Sequence, residues 1–186
     1  MLAVDHLVKL GHERIGMIVP LPSTSAKERY EGYAQALTRA GIAMDDSLVV
    51  PLTQPSADRE AQPKMGGLEE TRKLLVLPKP PTAVFAGNDH LALGACWAVQ
   101  RAGLRIPEDI SVIGFDGLGL ERMVPGGITT VTQPAETIGR EAGRALAEQI
   151  QHSSAGGVQP VIRRVYLRAE GLLLGTTTGP VPPSGK

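Results

Sequence analysis

The stretch from Pro80 to Gly117, PPTAVFAGNDHLALGACWAVQRAGLRIPEDISVIGFDG, constrains the fold more than any other part of the chain. Thr82 to Ala86 is a short apolar run with β-branched and aromatic members that stops at Gly87-Asn88-Asp89, which reads as a buried strand ending in a polar turn. Asn88 or Asp89 is placed to cap a helix from about His90 to Ala102. That helix carries Gly94, Ala95, Ala98 and Ala102 at spacings of three and four, a face of so little bulk that it can lie close on a sheet. Gly103 ends it and Pro107 keeps it from restarting. Ile110 to Phe115 is a second buried strand, and it too stops on a polar residue, Asp116, before Gly117. The unit is βαβ, which puts Asn88, Asp89 and Asp116 at carboxyl ends of strands, the edge at which open parallel sheets bind small ligands.

The rest of the chain extends this pattern. Leu2 to Leu10 has helical spacing and Gly11 to end it; Ile15 to Val19 is a strand; Pro20 to Ser25 is a loop of turn formers. A helix follows from about Ala26 to Ala40, with Arg29 in its first turn, where a cation opposes the helix dipole. Ser47 to Leu52 is a strand, Thr53 to Gly67 a long polar loop of the length that often carries function, and Leu68 to Leu77 a helix. After the loop from Leu118 to Pro125 come a short extended stretch at Ile128 to Thr132 and an amphipathic helix from Ala135 to Gln151, with Ile138, Ala142, Ala145, Leu146 and Ile150 on one side. Ser153 to Gly157 reads as a flexible connector, Val161 to Leu167 as a strand, and Pro180 to Lys186 as a disordered tail.

Several function classes are disfavoured by what the residues lack. Lys plus Arg and Asp plus Glu both number 19, so the chain has no basic excess with which to grip phosphates by itself. The four histidines, His6, His12, His90 and His152, show no metal-binding spacing, and His12 reads as a structural cap after Gly11. Cys96 is the one cysteine, inside the small-residue helix, where it reads as core filling. GxSxG and GxxxxGK[ST] do not occur, and Gly117-x-Gly119 lacks the rest of a dinucleotide motif, so no catalytic residue, metal or cofactor is assigned. The N-terminus carries charges and His among its apolar positions and does not read as a signal peptide or membrane span, which makes a cytoplasmic location the default.

The central stretch resembles the regulatory core of lactose-repressor (LacI) type transcription factors, whose sequences run close to PTAVFAxNDxxAxGAxxAxxxxGLxxPxDxSVxGFD. Upstream, HLVKLGHERIGMI is similar to the family's HLxxLGHxxIxxI, and Arg29 to Tyr33 to its RxxGY; downstream, Ile128 to Val131 with Gln133-Pro134 is similar to LTTVxQP. The likeness covers the chain from about Val4 to Thr177. It implies a three-layer α/β lobe with a mainly parallel sheet, like a periplasmic-binding-protein lobe. Residues 1–131 would form the second lobe of an effector-binding domain, 132–157 a helix of the first lobe with a linker, 158–177 a return to the second lobe, and 178–186 a disordered tail. Met1 would stand where a DNA-binding headpiece and most of a first lobe have already passed, so the sequence looks truncated.

The resemblance also implies roles. Ser25, Arg29, Asn88 and Asp116 would bind an effector, with Gln62 at the position where relatives often present a bulky stacking group. Gly117 stands where a second acidic residue is usual, and Leu172 to Thr176 lacks the Arg that closes the family pattern. One cation, one anion and neutral donors and acceptors suit a polyhydroxylated ligand, a sugar or a nucleoside. Leu93, Leu118 and Val124 would lie at a homodimer interface, and operator DNA would be reached only through the absent headpiece, with no membrane involved. The competing reading is a sugar-binding protein of transport or chemotaxis with the same lobes.

Overall fold

The computed structural model describes residues 2–52, 65–154 and 164–182. The chain divides by packing into two units, residues 1–132 with 171–186, and residues 133–170.

The first unit is built on a six-stranded sheet in the order β2-β1-β3-β4-β5-β6. Its strands are β1 (Ile15–Val19), β2 (Val49–Pro51), β3 (Ala83–Ala86), β4 (Ser111–Asp116), β5 (Thr129–Thr132) and β6 (Gly171–Leu173). All neighbouring pairs are parallel except β5 with β6, as the repeated strand–helix–strand pattern requires. Helices α1 (Leu2–Lys9) and α2 (Thr24–Arg39) pack with each other, as do α3 (Leu68–Leu75) and α4 (Asp89–Arg101). Alternation along the strands sends Ile18, Val84, Ala86 and Val112 into one core with Leu74 of α3 and Leu91, Ala95 and Val99 of α4. The intervening Ile15, Met17, Phe85 and Ile113 are buried on the other face, where the Tyr33 hydroxyl of α2 donates to the Ile15 carbonyl at 2.8 Å. The sheet is thus covered on both faces, a three-layer α/β arrangement.

The small-residue face of α4 is used as its composition implies. A Cβ at Gly94 would stand 2.0 Å from the carbonyl oxygen of Gly66, so only glycine lets the chain leading into α3 lie on the helix this closely.

Two elements differ from expectation. No strand occupies 164–167, and 161–163 lie outside the described residues; the strand is Gly171–Leu173. β-branched content marks a segment that can be extended, but pairing needs an open edge, and β5 offers its edge to Leu172 and Leu173 through Val131 and Thr130. The tail expected to be disordered from 178 is held as far as Pro182. Gly179 N–H donates to Ser111 Oγ at 3.0 Å, Val181 N–H to the Leu10 carbonyl at 2.9 Å, and Thr178 Oγ1 lies 3.0 Å from His6 Nε2. The anchor is His12, fully buried, with Nε2 3.0 Å from the Gly179 carbonyl and Nδ1 2.9 Å from Thr82 Oγ1. A polar, proline-containing tail looks unanchored in sequence because its partners are themselves polar groups buried at the amino edge of the sheet. Residues 183–186 are outside the described set.

The second unit is described through α5 (Ala135–Ser154) and the irregular stretch 164–170. Ile138, Leu146 and Ile150 of α5 are exposed. Among the described residues no helix is long and apolar enough to cross a membrane.

Candidate functional site

Because β1, β3 and β4 are parallel, their carboxyl ends and the loops that leave them lie on one edge. Each loop contributes a polar group, and local structure fixes each one.

From β1 the chain turns through Pro20–Pro22 into α2, whose N-cap is Ser23; its Oγ accepts from Ala26 N–H at 3.1 Å. The helix therefore starts two residues earlier than expected, and Arg29 sits in its second turn, where the dipole opposes a cation less. Ser25 lies in the first turn, exposed, with Oγ 3.1 Å from Ser23 Oγ. Arg29 reaches back across the sheet edge. One terminal nitrogen, Nη1, donates to the Gly87 carbonyl at 2.6 Å, the other, Nη2, to Asp116 Oδ1 at 2.9 Å, and the guanidinium carbon lies 4.3 Å from the centroid of the Phe115 ring. The ring's negative face and the carboxylate hold the cation together.

From β3 the chain passes Gly87 to Asn88, the N-cap of α4, whose Oδ1 accepts from Leu91 N–H at 2.9 Å. The cap uses only the amide oxygen. Asn88 is half-buried, and its Nδ2 donors make no hydrogen bond among the described residues.

From β4 comes Asp116, the one non-glycine residue with positive φ among the described residues, at 127°. Its side chain and that of Arg29 are each 14% exposed, so the pair is largely but not wholly removed from water. The following Gly117 has φ of 72°, and a Cβ there would stand 2.9 Å from Thr132 Cγ2.

Asp89, which the sequence places on this edge without a role, follows the capping Asn88. It is fully buried, and its Oδ2 accepts from Gly117 N–H at 2.8 Å and Leu118 N–H at 3.1 Å, while Oδ1 accepts from Thr130 Oγ1 at 2.6 Å. Burial pushes its carboxyl above the usual carboxylate range, these three hydrogen bonds pull the other way, and the nearby Asp116 charge adds to the rise. The available signal was Gly114: a Cβ there would stand 2.4 Å from Asp89 Oδ1.

On the same edge, a cavity of about 600 Å³ at the ends of β1 and β2 is lined by groups that include Leu21, Pro22, Tyr30 and Leu52. That volume lies within the range of small-molecule sites. Among the described residues no group of three or more His, Cys, Asp or Glu is placed to hold a metal ion.

The structure thus joins Arg29 to Asp116 directly and sets both beside the loop carrying Asn88, with Ser25 at the mouth of α2. Gln62 lies outside the described residues. Of the three residues expected at a homodimer interface, Leu93 and Val124 are buried in the core shared with α4, at 3% and 8% exposure, and Leu118 is exposed. Leu93 sits on the side of α4 closed by its packing with neighbouring elements, a burial that helical periodicity alone does not reveal.

Residues 4–169 match the family described as the periplasmic binding protein-like domain. The chain is 41% identical over 155 residues to the HTH-type transcriptional repressor CytR of Escherichia coli K12, covering 83% of this chain and 43% of that protein. It is 38% identical over 156 residues to the HTH-type transcriptional repressor PurR of Haemophilus influenzae, covering 83% and 44%. The chain therefore spans less than half the length of these relatives. Among solved structures it is similar to a LacI family transcriptional regulator from Mycobacterium smegmatis, with a TM-score of 0.79, 29% identity, and 96% of this chain and 62% of that one covered. A structure of the dimeric Lac repressor lacking 11 C-terminal residues gives a TM-score of 0.76 at 32% identity, over 98% and 61%. A complex of the transcriptional regulator CelR with cellobiose gives 0.77 at 30%, over 94% and 49%.

Proposed function

The chain belongs to the periplasmic binding protein-like domain family, with LacI-type regulators as its relatives, and from that premise we propose that it forms part of the effector-binding core of such a regulator. The observation that carries the reading is the Arg29–Asp116 pair at 2.9 Å on the carboxyl edge of a parallel sheet, next to the uncommitted Nδ2 donors of Asn88. A cation, an anion and amide donors fixed at one edge offer both donors and acceptors to a ligand whose own hydroxyls do both. The ligand class is a sugar or a nucleoside. Support for the class comes from the site's chemistry and from a relative whose structure holds cellobiose.

In this reading the effector has different affinities for two arrangements of the regulator's lobes and so shifts their populations, which changes how DNA-binding segments outside this chain meet an operator. The chain itself would act in the cytoplasm, as part of a homodimer, and without catalysis. Of the residues expected at a homodimer contact on this unit, Leu118 is the exposed one. The alternative of a transport or chemotaxis protein is disfavoured because the relatives CytR and PurR are named as transcriptional repressors.

A small-molecule site typically buries about 70 to 90% of its ligand, and one wall does not achieve that. The 186-residue chain by itself is expected to bind weakly. Calorimetric titration of a panel of hexoses, cellobiose and ribonucleosides tests this: millimolar affinity or weaker is expected, and a micromolar or tighter ligand would overturn the one-wall account.

A further inference from the structure

The backbone of Asp116 is the feature that a ligand site alone does not account for. Alternation along β4 puts Val112 and Gly114 on the α4 face of the sheet and Ile113 and Phe115 on the other. Continued by one residue, the same alternation sends the Asp116 side chain toward α4 and away from Arg29, whose guanidinium lies over Phe115. Instead φ at Asp116 is 127°, a region that side chains other than glycine rarely enter, and the carboxylate meets Arg29.

Asp89 stands on the face that Asp116 leaves. It is fully buried, it takes the N–H groups of the two residues after Asp116 on one oxygen, and it takes the Thr130 hydroxyl on the other. Gly114 leaves the space that its carboxylate fills. A second carboxylate turned to that face would meet a like charge in surroundings with little water to screen it. We propose that Asp89 is a positioning residue for the site: by holding Gly117 N–H and Leu118 N–H, and by occupying the α4 face, it fixes the positive-φ conformation that delivers the Asp116 carboxylate to Arg29. The proposal rests on reading Asp116 as a ligand anchor, but its test needs no ligand, so a failure to find an effector leaves it decidable.

The test is the three-bond coupling between the amide and α protons of Asp116, with hydrogen exchange at Gly117 and Leu118, measured on the ligand-free chain. In the wild type the coupling is expected to be small, as positive φ near this value requires; a large coupling typical of extended backbone would overturn the proposal at once. In Asp89→Ala the coupling rises toward the extended value, and the two amides exchange roughly tenfold faster, the loss of one hydrogen bond of ordinary strength. Asp89→Asn separates holding from charge: its amide oxygen can still accept both N–H groups while its NH2 donates to Thr130, so the coupling stays small. Should Asp89→Ala not fold, Asp89→Ser, which does not reach both amides, gives the same readout. A folded Ala or Ser variant that keeps the wild-type coupling and exchange would show that Asp116 holds its conformation without Asp89, and the proposal would be wrong.

Discussion

Arg29 and Asp116, 87 positions apart, meet at 2.9 Å across the carboxyl edge of the sheet, and each is only 14% exposed. The contact joins the helix after β1 to the end of β4 over the intervening strand β3, whose Gly87 carbonyl takes the other arm of the same guanidinium at 2.6 Å. One side chain of α2 thereby clasps the ends of two strands, β3 and β4.

The conformation of Asp116 predicts an inverted order of substitutions. Glycine is ordinarily worse than alanine in a strand, but at φ of 127° alanine is strained and glycine is not. Asp116→Gly and Asp116→Ala lose the ion pair equally, so Asp116→Gly is expected to be the more stable by about 1 kcal/mol. Urea unfolding of the two variants measures this, and alanine equal to or better than glycine would contradict the backbone assignment.

Asn88 serves two ends that mutation can separate. Its Oδ1 caps α4, so Asn88→Ala should cost about 1 kcal/mol of stability, the usual value of an N-cap. Asn88→Asp keeps the capping oxygen and recovers most of that stability, while removing the Nδ2 donors. Thermal unfolding should therefore rank Asp with the wild type, whereas ligand titration should rank it with Ala.

Stability should fall on mild acidification because of His12. Burial holds its imidazole below the ordinary 6.5, His6 adds to the lowering, and the hydrogen bond to the Gly179 carbonyl opposes it. The unfolded chain then takes up a proton at a higher pH than the folded one, so the contribution is complete above the unfolded value and is lost as pH drops from there through the folded value. His6, also lowered by burial and by Lys9, acts in the same direction. Urea midpoints between about pH 7.5 and 5 should decline in the wild type and decline less in His12→Gln.

Two helical glycines should respond oppositely to alanine. A Cβ at Gly94 meets the Gly66 carbonyl oxygen at 2.0 Å, so Gly94→Ala must push α4 off the chain entering α3 and should cost about 1 to 3 kcal/mol. A Cβ added at Gly139 of α5 would meet nothing within 4 Å beyond its own helix backbone, so Gly139→Ala should gain about 0.5 to 1 kcal/mol from helix propensity. Denaturation of both variants checks the pair of signs.

The βαβ centre was legible because its signals agree at every level: apolar strand runs, an Asn cap, a small-residue helix face and a terminating Gly103. What stayed hidden depends on partners distant in sequence. The 177–182 tail is polar and looks free until His12 and Ser111 are seen to be buried beneath it. Leu93 and Trp97 lie four apart on α4, yet one is core and the other is exposed, because packing by neighbouring elements decides it. The candidate site was half legible: strand ends marked Asn88 and Asp116, and the family motif marked Arg29. Nothing local to Asp89 told an N-terminal helix carboxylate from one that crosses to the next loop and holds two amides.

We propose that a small polar ligand binds at the carboxyl edge through Arg29, Asn88 and Asp116. The most direct measurement is the amide NMR spectrum of the chain during titration with the sugar and nucleoside panel, in the wild type and in Arg29→Ala. A binding compound is expected to shift the amide signals of Ser25, Asn88, Gly117 and Leu118, to leave those of His12, Thr82 and Ser111 at the opposite edge unmoved, and to lose its effect in Arg29→Ala. Binding whose shifts centre elsewhere, or that survives Arg29→Ala unchanged, would contradict it.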